Sequence, residues 1–118
     1  MVMSRRIALF AFNGDPMCFV HVLLNSLDMA DRGYEVKLVI EGSATGLIPR
    51  FKDPHEPFRN LYSEVLARQL VDCACKACCN KTSTLESAVD VGIPLVSEMS
   101  GHPSMARYME DGYEVLTF

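Results

Sequence analysis

The sequence predicts an α/β domain in which a mostly parallel sheet of about five strands lies between two layers of helices. Short apolar runs alternate along the chain with longer segments of helical periodicity, and this alternation is typical of the class. The first such unit has the size of a right-handed parallel crossover. With 118 residues, the chain has room for one domain spanning 1–118.

The first unit begins with the apolar run 7–12, as expected for a strand that is covered on both faces. Turn residues follow at 13–16 and lead into a helix at 17–31, whose apolar side chains recur at helical spacing. Gly33 is a typical helix stop, and the second strand is expected at 36–40.

The rest of the chain repeats the alternation with shorter elements. Two prolines mark a surface loop, Pro94 fits the start of an edge strand, and Gly112 ends the last helix. In order, we expect a helix at 44–51, a loop at 52–57, a helix at 58–70, a strand at 71–75, a helix with the remaining cysteines, a strand at 93–96, a helix at 103–110 and a strand at 113–118.

Composition and charge narrow the function classes. The net charge is −4 and the eleven basic residues are scattered, which argues against nucleic acid as a partner. Arg5-Arg6 before an apolar run resembles an export signal, but the turn at 13–16 interrupts the run too early, so a buried strand is expected instead. We therefore expect a cytoplasmic protein without a membrane span, whose cysteines are reduced.

Four of the five cysteines fall within seven residues, at Cys73, Cys75, Cys78 and Cys79. The predicted elements put Cys75 at the end of a strand and Cys78 in the first turn of the next helix. In open α/β sheets, ligands bind outside the carboxyl ends of the strands. The cluster is therefore the main candidate for chemistry, although packing alone accounts for many buried cysteines.

The local sequence favours a reactive thiolate. Backbone amides at a helix N-terminus carry partial positive charge, and Lys76 is adjacent, so we expect a lowered cysteine pKa. The Cys75-x-x-Cys78 spacing lets one thiol attack a disulfide that involves the other. We predict that Cys75 is the nucleophile and sulfur carrier, that Cys78 is its resolving partner, and that no resident cofactor is needed.

A metal site is the alternative interpretation. Cys18 and His21 follow the first strand and could approach Cys75 and Cys78 to form a Cys3His zinc site. An iron–sulfur cluster could use the same thiolates, although the ligand spacing gives it no specific support. The chain would then be a metal-binding interaction module without transferase activity.

Further polar residues lie at predicted strand ends or beside the cluster. Asn13 and Glu41 follow the first two strands, Lys76 follows the third, and His102 lies in the loop after the fourth. We expect these four to line one crevice with Cys75, His102 acting as a proton shuttle. For both Asn13 and Glu41, a purely structural role in a turn is the competing explanation.

The segment 74–118 carries a resemblance to a known family. Ala74-Cys75-Lys76-Ala77-Cys78 resembles the short strand and reactive cysteine of the DsrE/DsrF-like sulfur-relay proteins. Gly92-Ile93, the helix residues 105–109 and the segment 111–115 resemble the last helix and strand of that family.

The resemblance implies a three-layer α/β/α fold, assembly into trimers or hexamers, and persulfide transfer through Cys75 to or from a partner protein's cysteine. Two features depart from the family pattern. The thiols at Cys73, Cys78 and Cys79 exceed what a one-cysteine carrier needs, and the segment 96–103 is unusually polar.

Overall fold

The computed structural model describes residues 5–118 and contains a five-stranded, all-parallel sheet with the order β4-β3-β2-β1-β5. The strands are β1 (Arg6–Ala11), β2 (Glu35–Ile40), β3 (Val71–Cys75), β4 (Leu95–Val96) and β5 (Glu114–Thr117). The helices are α1 (Pro16–Asp31), α2 (Arg59–Ala67), α3 (Lys76–Lys81), α4 (Leu85–Val91) and α5 (Met105–Glu110), with a 3₁₀ helix at Gly42–Lys52. The predicted α/β/α class is confirmed.

The parallel arrangement places all strand carboxyl ends at one edge of the sheet. β1 and β2 pair in register from Arg6–Glu35 to Ala11–Ile40, so the segments that follow them emerge side by side. β3 pairs with β2, and β4 pairs with β3 through Cys75 and Val96. The loops after β2, β3 and β4 therefore meet at this edge.

The larger core lies between the sheet and α1–α4. Alternate strand side chains such as Leu9, Leu38 and Ala74 face it, because successive side chains of a strand point to opposite faces. Phe19, Phe51 and Tyr62 form an aromatic cluster there, with ring centroids 5.0 to 6.3 Å apart. This core fixes the helices whose ends surround the candidate site.

The smaller core covers the other face and contains Phe10, Cys73 and Tyr108 of α5. Phe10 meets Tyr108 edge to face, with ring centroids 5.4 Å apart. The Tyr108 hydroxyl donates a hydrogen bond to Asp72 and lies 3.4 Å from Cys73 Sγ. Within residues 5–118, no helix is both long and apolar enough to pass through a lipid bilayer.

Several boundaries differ from those expected. β4 comprises two residues rather than four, because Pro94 precedes it without an amide donor. α2 ends at Ala67, and the segment after β3 forms two helices with Ser83 between them at φ 60°. α5 begins at Met105, because the Ser104 side chain accepts the Arg107 amide as its N-cap.

Candidate thiol site

Three segments at the carboxyl edge of the sheet bring the candidate residues together. Glu41 directly follows β2, Cys75 ends β3 and is the N-cap of α3, and His102 lies in the loop between β4 and α5. Cys78 is in the first turn of α3. The loop is docked on α3 by a hydrogen bond from the Ala77 amide to the Gly101 carbonyl, 3.0 Å long.

Cys75 is fully buried, with 0% of its surface exposed. Its Sγ accepts a hydrogen bond from the Cys78 amide at 3.4 Å and lies 3.5 Å from the Gly101 carbonyl. The Nδ1 atom of His102 is 3.0 Å from the same sulfur. Polar partners therefore surround this thiol, although solvent does not reach it.

The protonation state of Cys75 differs from the sequence prediction. Burial raises the pKa of the Cys75 thiol to about 12, and the hydrogen bond from the Cys78 amide only partly opposes this effect. Lys76 is adjacent in sequence, but it is exposed and is not among the residues that line the pocket beside the thiols. The prediction of a reachable, low-pKa thiolate at Cys75 is therefore wrong.

Cys78 is the partly exposed thiol of the pair. It lines an open pocket of about 560 Å³, together with Gly42, Ser43, Ala77, Lys81, Thr82 and His102. Its Sγ is 3.7 Å from His102 Nδ1. A small molecule in this pocket would therefore meet Cys78, with Cys75 behind it.

His102 connects both thiols to a buried carboxylate. Its Nδ1 atom is 3.7 Å from Glu41 Oε1, and the Glu41 side chain is only 8% exposed. Burial raises the pKa of Glu41, while the positive charge of a protonated His102 lowers it. His102 therefore lies between the two thiols and the Glu41 carboxylate.

The sulfur atoms of Cys75 and Cys78 and a ring nitrogen of His102 lie within 4.8 Å of one another. The four-residue zinc set expected from the sequence is not assembled: in the described part of the chain, neither Cys18 nor His21 belongs to a group of potential ligands. Both residues lie on α1, where His21 faces solvent. His102 supplies the nitrogen that the sequence analysis assigned to His21.

Asn13 does not line the pocket; its Oδ1 accepts the Asp15 amide at 2.8 Å, as expected for a turn residue. Cys73 and Cys79 fill the two cores. Sequence reasoning missed Lys81 and Thr82 as pocket residues. Helical spacing could have identified them, because residues three and four positions after Cys78 lie on the same face of a helix as Cys78.

Comparisons with known proteins place the chain among archaeal relatives. It is 48% identical over 44 residues to an uncharacterized protein of Archaeoglobus fulgidus, a match that covers 37% of this chain and 72% of the relative. The chain belongs to the same family as that protein. It is also 25% identical over 97 residues to an uncharacterized protein of Methanocaldococcus jannaschii, covering 82% of this chain and 77% of the relative. No family model matches the chain.

A solved structure shares the fold of this chain. It is a conserved protein of unknown function from Bacteroides thetaiotaomicron, with a TM-score of 0.70, 16% sequence identity and full coverage of both chains. At this identity the likeness concerns the fold alone. An activity must therefore be argued from the site.

Proposed function

We propose that this protein is a sulfur carrier of the DsrE/DsrF-like type, in which Cys78 accepts sulfane sulfur and Cys75 is the second thiol. One observation carries the proposal: a thiol that faces a pocket lies within 4.8 Å of both a buried thiol and an imidazole nitrogen. The proposal exchanges the two cysteine roles expected from the sequence, and the burial of Cys75 supports this exchange.

The first step is the attack of Cys78 on a persulfide. His102 Nδ1 accepts the Cys78 proton, and the thiolate attacks the outer sulfur of R–S–SH. A bond forms between Cys78 Sγ and that sulfur while the S–S bond of the donor breaks. The leaving RS⁻ takes the proton from His102 and departs as RSH. The product is a Cys78 persulfide, whose outer sulfur a partner thiol can then attack.

Cys75 provides a second outcome for the same intermediate. After losing its proton to His102, its sulfur attacks Cys78 Sγ, so that sulfide leaves and a Cys75–Cys78 disulfide forms. The sulfane sulfur is reduced as the two cysteines are oxidised. A dithiol reductant then restores both thiols, which makes this branch a thiol-redox reaction.

Mass spectrometry after incubation with a persulfide donor tests the proposal. We expect the mass of one added sulfur on Cys78, loss of loading in Cys78→Ser, and loading without sulfide release in Cys75→Ser. Cys18→Ser is the control, because Cys18 lies on α1 outside the cluster. Full loading of Cys78→Ser, or sulfur mapped to Cys75, would contradict the assignment.

A zinc site is the second candidate, because Cys75, Cys78 and His102 also form a compact ligand set. Two thiolates and an imidazole suit Zn²⁺, and three protein ligands leave one position open. The protein would then be a metal-binding interaction module. Stoichiometric zinc in protein purified without a histidine tag, together with Cys78 protected from alkylation, would support this candidate over the carrier.

The proposal also covers the cellular compartment and the oligomeric state of the protein. All five cysteines are free thiols, which fits a reducing compartment such as the cytoplasm. We further propose a homo-oligomer, a trimer or a hexamer, that exchanges sulfur with a donor or acceptor protein. Light scattering of the purified protein measures this assembly directly.

A further inference from the structure

We propose that the pocket beside Cys78 binds a small sulfur compound that carries an anionic group, and that the Lys81 ammonium pairs with this group. The inference rests on the proposed sulfur-carrier function and names the donor class for the same site. It adds a small-molecule donor to the protein partner considered above.

The size and walls of the pocket fit such a ligand. Its volume of about 560 Å³ lies within the range of roughly 300–1,000 Å³ that is usual for small-molecule sites. The start of the 3₁₀ helix, the helix α3 with its C-cap, and the loop after β4 form its walls. Cys78 is part of one wall and can reach a bound molecule directly.

The charge of the lining favours an anion. Besides the imidazole of His102, Lys81 is the cationic residue that lines the pocket. Lys81 is exposed, and within residues 5–118 its ammonium makes no ion pair with a carboxylate. Glu41 lies close to His102 but does not line the pocket.

The hydroxyl groups of the lining are engaged elsewhere. Ser43 Oγ donates to the Phe12 carbonyl at 3.1 Å. Thr82 Oγ1 lies 3.1 Å from the Cys78 carbonyl and 2.9 Å from the hydroxyls of Thr45 and Thr84. These protons have protein acceptors, so the Lys81 ammonium is the side-chain donor that remains, besides the His102 ring, for an anionic ligand.

Helix geometry sets the spacing between the two functional groups. Cys78 and Lys81 are three residues apart on α3, so their Cβ atoms are about 5–6 Å apart on one face. A compact donor with a carboxylate a few bonds from its transferable sulfur would therefore satisfy both groups at once. Organic persulfides that carry a carboxylate have this form.

A matched pair of alkylating agents tests the anion preference without any sulfur transfer. Iodoacetate is anionic and iodoacetamide is neutral, and both modify an accessible thiol. In Lys81→Met we expect the Cys78 alkylation rate to fall about two- to fivefold for iodoacetate and to stay unchanged for iodoacetamide. Lys81→Arg should restore the rate, and Lys76→Met is the control because Lys76 lies outside the pocket lining.

A matched pair of donors then tests the substrate class. We expect the persulfide of mercaptopropionate to load Cys78 with saturation, and its half-saturation concentration to rise about two- to fivefold in Lys81→Met. The persulfide of the methyl ester should show no such change. Equal responses to both donors and both alkylating agents would overturn the inference while leaving the carrier function intact, whereas no loading by either donor would overturn both.

Discussion

At the residue scale, the two cysteines of one short motif have opposite environments. Cys75 closes a strand and is 0% exposed, whereas Cys78, one helical turn later, lines the pocket. Helix N-terminal amides favour a thiolate, but desolvation of a fully buried sulfur has the larger effect at Cys75. The outer thiol is therefore the group that meets reagents, and the inner thiol remains protonated at neutral pH.

The raised pKa of Cys75 predicts a pH dependence of stability. Between its ordinary pKa of about 8.5 and the folded value of about 12, the unfolded chain loses this proton while the folded chain keeps it. The contribution of Cys75 to the free energy of unfolding is thus complete below pH 8.5 and decreases as the pH rises towards 12. Burial also raises the pKa of Cys73, to about 11. Cys75 therefore accounts for only part of the change in unfolding free energy with pH.

Urea unfolding between pH 8 and pH 11 measures this effect. We expect the difference in unfolding free energy between the wild type and Cys75→Ala to narrow as the pH rises. The unfolding free energy of Cys18→Ala should change with pH as that of the wild type does, because the Cys18 thiol is only partly buried. A constant difference between the wild type and Cys75→Ala across this range would contradict the prediction.

At the element scale, the position of His102 depends on how its loop meets α3. Gly101 has φ +93°, and a Cβ atom at this position would lie 2.9 Å from the Cβ of Ala77. The backbone hydrogen bond between Ala77 and Gly101 makes the same contact. Close approach at one glycine therefore holds the imidazole beside both thiols.

The Gly101→Ala substitution tests this dependence. We expect it to lower the free energy of unfolding by about 1–3 kcal/mol and to change the alkylation rate of Cys78, because the loop must move away from α3. Gly33→Ala is the matched control: Gly33 has φ +89° but no atom within 4 Å of an added Cβ. Gly33→Ala should lower the free energy of unfolding only through the unfavourable backbone conformation, and it should leave the alkylation rate of Cys78 unchanged.

The sequence predicted these elements better than the site. The strands β1 and β2 coincide with apolar runs, which a parallel sheet buries on both faces, whereas β3 contains the polar Asp72. The burial of Cys75 could not be predicted, because it depends on the loop of Gly101 and His102 folding back from β4 over the end of β3. The missed helix break near Ser83 involves a hydrogen bond between Thr45 and Thr82, which are 37 residues apart, and such a long-range contact leaves no local pattern.

At the scale of the whole molecule, the sheet separates two cores that each bury tyrosine hydroxyls. The larger core contains the Tyr62 hydroxyl, which has no hydrogen-bond partner within residues 5–118. The smaller core contains the Tyr108 hydroxyl, which bonds to Asp72 and lies beside Cys73. Both hydroxyls are buried, but only that of Tyr108 has a hydrogen-bond partner; Tyr113 of the smaller core resembles Tyr62, because its hydroxyl has no partner within residues 5–118.

Removing each hydroxyl should therefore have opposite effects on stability. We expect Tyr62→Phe to leave the free energy of unfolding unchanged or to raise it by up to about 1 kcal/mol, because an uncompensated buried hydroxyl is removed. Tyr108→Phe should lower it by about 1–3 kcal/mol, because Asp72 loses its donor. Chemical denaturation of the two variants provides the comparison, and equal losses of unfolding free energy would contradict the prediction.

The two sulfurs are attached to parts of the molecule with different freedom to move. The inner sulfur belongs to a strand paired on both sides, whereas the outer one is carried by a helix of only six residues. A covalent bond between them requires a separation near 2.05 Å, so the helix must make the approach. Oxidation of the pair would therefore displace the first turn of this helix, and the wall of the pocket that Ala77 and Cys78 form would move with it.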